Sequence, residues 1–292
     1  MSKVPFITRL AVIGVGLIGG SLALALKRMR AVGEVIGCGR NAADLEKGVT
    51  LGVIDRYSTD PIHAVRDADV VMLATPIGAM RSLFEKIRDH LAPETVVTDA
   101  GSAKANVIAD ARTALGARFA DFVPGHPIAG TEKSGVEAGF ADLYSGHRVI
   151  LCPQPETRMS ALSKVQRMWE LVGAQVEQMD AVHHDVILAR TSHLPHLVAY
   201  ALADVLAATK PQSEVLRFAA GGFRDLTRVA SSPPVMWRDI ALANREALLT
   251  ALDEYLAALN TIRAAVAAQD AAALEKIFAR AKALRDSLPP RK

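Results

Sequence analysis

Cysteine is nearly absent from this chain. Cys38 and Cys152 are the only two in 292 residues, too few for a disulfide framework, and both sit in apolar, strand-like stretches that read as buried, reduced thiols of a cytoplasmic protein. Aromatic residues are also scarce, at 5%; Ala and Leu take their place and tilt the composition towards helix. A dominant charge is missing as well. The 34 basic and 31 acidic residues leave a formal charge of +3, and no Lys/Arg run gathers them into a nucleic-acid patch. A membrane-length apolar run is lacking too. Residues 10–26 carry no charge and follow Lys3 and Arg9, in the manner of an export signal. That run is short for a membrane span, and Gly14, Gly16, Gly19 and Gly20 interrupt it, so strand, turn and helix is the better reading. What remains is a folded soluble protein, 50% hydrophobic and 22% charged, long enough for two domains.

The first 180 residues alternate apolar runs with helical stretches. Strands are expected at 10–15, 35–38, 70–74, 96–98, 119–123, 149–151 and 175–178, with helices at 20–29, 42–51, 79–91, 104–115 and 160–172. Such alternation implies a mostly parallel sheet covered on both faces, an α/β Rossmann-type arrangement. Beyond Asp180 the period changes. Residues 182–209 and 235–268 read as helices, and 271–286 as another. In the second of these Leu248, Leu252, Tyr255, Leu259, Ile262 and Val266 form one apolar stripe. The expected division is therefore 1–178, a dinucleotide-binding domain, and 179–292, an all-helical domain for substrate and dimerisation, with the active site in the cleft between them.

Gly14-Val15-Gly16-Leu17-Ile18-Gly19 matches G-x-G-x-x-G. The string alone is weak, but here it follows a strand and opens a helix, the context that makes it a dinucleotide fingerprint. Gly14 allows the tight turn, Gly16 lets the backbone approach a pyrophosphate, and Gly19 lets helix and strand pack closely. The next strand ends in Gly39-Arg40, where NAD enzymes carry an acid for the ribose hydroxyls. Without that acid a 2′-phosphate is not repelled, and Arg40 can bind it. This favours NADP over NAD; the alternative is a solvated Arg40 with NAD still used. Thr75 and Pro76 end a later strand and are expected to line the same crevice.

Three further clusters carry candidate chemistry: 99–104, with Ser102; 125–135, with His126, Thr131 and Glu132; and a third joining Ser192, His193 and His196 to 221–228 and 236–239. His126 is expected in a rigid Gly/Pro-flanked turn after a strand, which suits a group whose position must be fixed and whose proton affinity lies near neutrality. Lone histidines are more often structural. His193 and His196, three apart, suggest a metal only faintly, since no third ligand is apparent. Asp225, Arg228, Arg238 and Asp239 also fit a structural ion-pair network.

The strings G-H-P-I-A-G-T-E-K-S-G, S-H-L-P-H and G-G-F-R-D-L-T-R followed by M-W-R-D, in this order behind the fingerprint, resemble the prephenate/arogenate dehydrogenases of tyrosine biosynthesis. The resemblance spans almost the whole chain. It implies oxidative decarboxylation of a cyclohexadienyl ring with hydride transfer to NAD(P), no metal, and a homodimer formed through the helical domain. It implies that His126 takes the proton of the ring hydroxyl and that Ser102 bonds the same hydroxyl or positions the nicotinamide. Arg228 would hold a substrate carboxylate. His196 and Trp237 would shape the pocket, Thr131 and Ser192 would add polar contacts, and Glu132 and Asp225 would gate access. Gly39-Arg40 departs from the NAD-using pattern.

Two other readings compete. A β-hydroxyacid dehydrogenase or imine reductase shares the fingerprint and a helical tail, but the first uses a lysine there, and this chain has none at 180–209 or 211–269. A non-catalytic dinucleotide sensor would keep the glycines without needing His126 and Arg228 together.

Overall fold

An apolar run can form a strand buried on both faces, and β1 (Ile7–Ile13) does so at the middle of a parallel sheet. The structure is a computed structural model that describes residues 4–288, so the outer ends of the expected division, at 1 and 292, lie outside the described residues. After β1 come α1 (Leu17–Arg28), β2 (Val32–Cys38), α2 (Ala42–Thr50), β3 (Arg56–Ser58), α3 (Pro61–Val65) and β4 (Val70–Leu73). Then follow α4 (Met80–Ile87), β5 (Val96–Asp99), α5 (Ala105–Leu115) and β6 (Phe122–Val123). These six strands are all parallel, in the order β3-β2-β1-β4-β5-β6. The order reverses between β1 and β4, and the crevice beyond their carboxyl ends is where such sheets take ligands.

A second, three-stranded sheet holds β7 (Gly125–Pro127), β8 (Arg148–Leu151) and β9 (Gln175–Gln178), with α6 (Met159–Leu171) between the last two. β7 runs antiparallel to β8, and β8 parallel to β9. Six aromatics are buried in the cores, while Phe6, Tyr57, Phe140, Phe218 and Phe278 are exposed. Tyr144 meets Trp169 edge to face with centroids 4.9 Å apart, and Phe84 meets Phe122 at 5.2 Å.

Helices then take over: α7 (Ala181–Leu188), a π-helical turn (Ala189–His193), α8 (Leu194–Ala208), α9 (Gln212–Arg217), α10 (Gly221–Thr227) and α11 (Pro234–Ala243). α7 is tied to the start of α5 by Asp185, which accepts the backbone N–H groups of Lys104 and Ala105 at 2.8 and 2.9 Å and so caps α5. The first compact unit accordingly runs to Arg245 and the second begins at Glu246. The second unit comprises α12 (Arg245–Ala267), all but its first residue, and α13 (Ala271–Asp286). No described helix is long and apolar enough to cross a membrane.

The structure differs from the sequence reading in local ways. β3 and α3 were not anticipated, because three exposed or half-exposed residues and a five-residue helix leave no period to detect. Residues 119–121 belong to a 3-10 turn rather than a strand. His126 lies within β7, paired with Ile150, not in a turn after a strand. The helix expected at 182–209 is interrupted by the π turn, just before Pro195, which supplies no N–H to the ladder. The one expected at 235–268 breaks at Asn244, whose φ of −108° and ψ of 36° leave the helical region.

Candidate active site

The glycine turn joins β1 to α1. Gly14 has φ of +102°, and a Cβ there would stand 2.4 Å from the Ala74 carbonyl oxygen. A Cβ on Gly19 would meet the Gly14 carbonyl oxygen at 2.3 Å, whereas one on Gly16 would meet nothing within 4 Å. Two glycines are thus required by the protein's own packing, and the third faces open space that a ligand can occupy. Leu17, the first residue of α1, is buried, and the Ile18 carbonyl accepts the Tyr144 hydroxyl at 2.6 Å. α1 has neither an acidic residue in its first turn nor a side-chain cap, so its leading amides stay available to an anion. The opposite wall carries Thr75 and Pro76, after β4. Thr75 Oγ1 is buried with no hydrogen-bond partner, an orphan that a ligand hydroxyl or amide would satisfy. This cradle fits a dinucleotide.

Gly39 and Arg40 follow β2 beside the turn, where the Gly14 N–H donates to the Cys38 carbonyl at 2.8 Å. Asn41 caps α2 through Ala43. Arg40 is exposed, and its guanidinium has no ion pair or hydrogen bond among the described residues.

The interior of the site is a polar network of which the sequence singles out His126, His193 and the 99–104 cluster, but not His184, Asp185 or Asn244. The His126 ring is 8% exposed, and its Nδ1 lies 2.8 Å from His184 Nε2. His184 Nδ1 in turn lies 2.8 Å from Asp185 Oδ1. Burial pushes the His126 pKa well below the ordinary histidine value, and His184, Lys104 and His193 add to the effect. Burial works to raise the Asp185 pKa, but the hydrogen bonds from His184, Lys104 and Ala105 outweigh it and keep the carboxyl below its usual value. Beside this chain Lys104 is wholly buried. Its Nζ is paired with Asp99 and bonded to the Gly125 carbonyl at 2.7 Å. The Asp99 carboxylate also accepts the Gly101 and Gly125 N–H groups at 2.7 and 3.1 Å. Ser102, in the same loop, is half-buried, and its hydroxyl makes no hydrogen bond among the described residues.

Asn244 links the network to the helices, donating to the Asp185 carbonyl at 2.8 Å and meeting His193 Nδ1 at 3.0 Å. Burial pushes His193 down to about 4, against the opposing pull of Asp185. Trp237 packs edge to face on His193 and stacks on His196 with centroids 3.6 Å apart. His196 donates Nδ1–H to the Ser192 carbonyl at 2.8 Å. Further out, Arg228 pairs with Glu132 at 3.0 Å, both partly exposed. Thr131 is exposed, its hydroxyl oxygen accepting the Lys133 N–H. Asp225 is exposed on α10 without a partner among the described residues. The alternative reading of Asp225, Arg228, Arg238 and Asp239 as one ion-pair network holds only for Arg238, which pairs with Asp239; Arg228 reaches across to Glu132 instead. The structure therefore gathers His126, His193, His196, Trp237 and Arg228, and adds His184, Asp185 and Asn244. Their signal in the sequence was slight, since His183-His184-Asp185 has no recognisable spacing. Among the described residues no group of three His, Cys, Asp or Glu could hold a metal.

A doubly wound parallel sheet with an open glycine turn, together with a buried histidine tied through a second histidine to a carboxylate, fits a dinucleotide-dependent oxidoreductase. The chain belongs to the prephenate dehydrogenase family. The family model for the prephenate dehydrogenase nucleotide-binding domain matches residues 22–178, and that for the dimerization domain matches 180–280. A cyclohexadienyl dehydrogenase of Zymomonas mobilis is 39% identical, covering 89% of each chain. A prephenate dehydrogenase of Bacillus subtilis is 37% identical over 95% of this chain and 75% of its own. Among solved structures, the A. aeolicus prephenate dehydrogenase in complex with hydroxyphenyl propionate and NAD+ superposes with a TM-score of 0.89 at 37% identity, covering 97% and 98% of the two chains.

Proposed function

We propose that this enzyme oxidises and decarboxylates a cyclohexadienyl acid, prephenate or arogenate, at the cleft lined by His126, Trp237 and Arg228. Residues 1–178 serve the dinucleotide, and residues 179–292 serve the substrate and a homodimer. The dimer accords with the apolar stripe of α12, where Leu259 and Val266 are 42% and 59% exposed. The observation that carries the reading is His126, buried on β7 with one ring nitrogen engaged by His184.

A nicotinamide dinucleotide, when bound at the glycine turn, accepts the hydride. The chain's own groups do the rest. His126 takes the proton of the ring hydroxyl, leaving the electron pair on oxygen to form the carbonyl as hydride departs; loss of carbon dioxide then makes the ring aromatic. General-base assistance of this kind is worth on the order of 10²–10⁴-fold. Ser102, in the loop after β5, bonds the same hydroxyl. Arg228 exchanges Glu132 for the substrate carboxylate, since a guanidinium fork suits either partner, and Glu132 and Asp225 flank that entry. His196 and Trp237 offer a stacked aromatic wall, with Thr131 and Ser192 as polar neighbours. NADP is the preferred cofactor, because Gly39 replaces the ribose-binding acid and Arg40 is free to meet a 2′-phosphate.

Initial rates with prephenate and arogenate, each crossed with NAD and NADP, test this reading. Release of carbon dioxide matched one to one by reduced cofactor is expected. No turnover with either acid would sink the proposal.

A further inference from the structure

The His126 ring has two nitrogens, and only one can be the base. Which one follows from bookkeeping of protons along the buried chain. The Asp185 carboxylate can only accept, so His184 Nδ1, 2.8 Å away, must donate to it. In neutral His184 the remaining nitrogen, Nε2, is then a lone pair. That lone pair faces His126 Nδ1 at 2.8 Å and can be satisfied only by an N–H there. His126 Nε2 is left unprotonated. The carboxylate end is fixed in its turn: the Lys104 and Ala105 amides hold its two oxygens, and Asn244 holds the Asp185 carbonyl. Each ring therefore has one orientation and one tautomer.

From this geometry we infer that His184 and Asp185 are positioning residues, which keep the proton of His126 on Nδ1 and so present Nε2 as the base. The inference rests on the reading of His126 as general base. In the transfer the hydroxyl O–H bond breaks, its electron pair stays on oxygen, and a new N–H bond forms at Nε2. The positive charge that develops on the ring is stabilised through Nδ1–H, His184 and the Asp185 carboxylate. The other charged or titratable groups around the ring are Lys104, neutralised by Asp99, and His193. None of these offers His126 Nδ1 an acceptor. A carboxylate bonded directly to Nδ1–H is an established way to fix the tautomer of a catalytic imidazole; here a second histidine stands between the two.

The test uses full-length protein with ¹⁵N-labelled histidine, the His126 signals being identified by their loss in His126→Asn. In the wild type His126 Nδ1 is expected to carry the proton and Nε2 none. His184→Leu removes the acceptor, so the two tautomers should mix and kcat should fall about 10- to 100-fold, with KM and dinucleotide binding within about twofold. His184→Gln restores an acceptor oxygen and should recover most of the lost rate and the Nδ1–H signal. A merely structural His184 would not give that split between kcat and KM, nor the rescue. A wild-type His126 protonated on Nε2, or a His184→Leu enzyme with unchanged kcat, overturns the inference. If His184→Leu does not fold, the wild-type and His184→Gln spectra still decide it. The underlying reading fails separately, and only if His126→Asn itself turns over like the wild type.

Discussion

The glycine turn and the histidine network, which the proposed function joins in one site, are specified in opposite ways. The turn is local. Gly14, Gly16 and Gly19 lie within six residues, and two of them are forced by contacts of 2.4 and 2.3 Å that any Cβ would make. The network is assembled from β7, α7, the loop before α5 and the residue after α11, with partners as many as 81 positions apart. Shape governs the first; the second depends on satisfying every buried polar group. The turn should therefore tolerate changes of charge and fail on added volume, while the network should do the reverse.

The largest expected effect tests the network side. Lys104→Met keeps most of the volume but leaves the Asp99 carboxylate buried without its cation, held only by the Gly101 and Gly125 amides. Stability should fall by about 3–5 kcal/mol, read as a lower midpoint in urea unfolding. Adding Asp99→Asn should recover part of the loss. A Lys104→Met protein as stable as the wild type would mean that the buried charge pair contributes nothing.

Acid exposes the same network next. His193, depressed to about 4 by burial, stays neutral in the fold while the unfolded chain binds a proton below about 6.5. The unfolded state thus holds the extra proton between those values, so this stability is intact above about pH 6.5 and is lost as pH falls towards 4. The slope should be about 1.4 kcal/mol per pH unit for each such histidine, with His126 shifted in the same direction. His193→Gln, which can still accept from Asn244, should flatten the slope by about one histidine. An unchanged slope would exclude His193.

The contrast also explains what could be read from the chain. The sheet and the glycine turn were legible because strand period and glycine spacing are local signals. β9 and α13 fall on the expected residues, Gln175–Gln178 and Ala271–Asp286. His184 and Asp185 were not legible, since nothing near them in sequence marks residues that meet β7 and α5 in space. β7 was hidden by its three-residue length, and the π turn by the continuous apolar period on either side of it. Gly14 and Gly16 divide the local signal further. Gly14→Ala should cost about 1–3 kcal/mol from its positive φ alone, and more from the Ala74 contact. Gly16→Ala, with φ of −110° and open space around it, should leave unfolding unchanged within about 0.5 kcal/mol and weaken dinucleotide binding. Equal loss of stability in both would show that Gly16 too serves the fold.

The smallest expected effect falls where the turn side depends on charge after all. Arg40 is exposed and unpaired among the described residues, so whatever it does for a 2′-phosphate is screened by water and salt. Arg40→Ala should lower the preference for NADP over NAD about tenfold, equivalent to about 1.4 kcal/mol, and less at high ionic strength. NAD has only a hydroxyl at that position and should bind almost as before. Gly39→Asp is sterically acceptable, because a Cβ there meets only Leu45 side-chain atoms from 3.5 Å outward. It restores the missing acid, which should add a ribose contact and repel the phosphate, moving the preference further towards NAD. Fluorescence titrations of both cofactors at two salt concentrations read these shifts directly. A wild type that already binds NAD more tightly, or Arg40→Ala losses equal for the two cofactors, would return Arg40 to the solvent and leave the turn governed by shape alone.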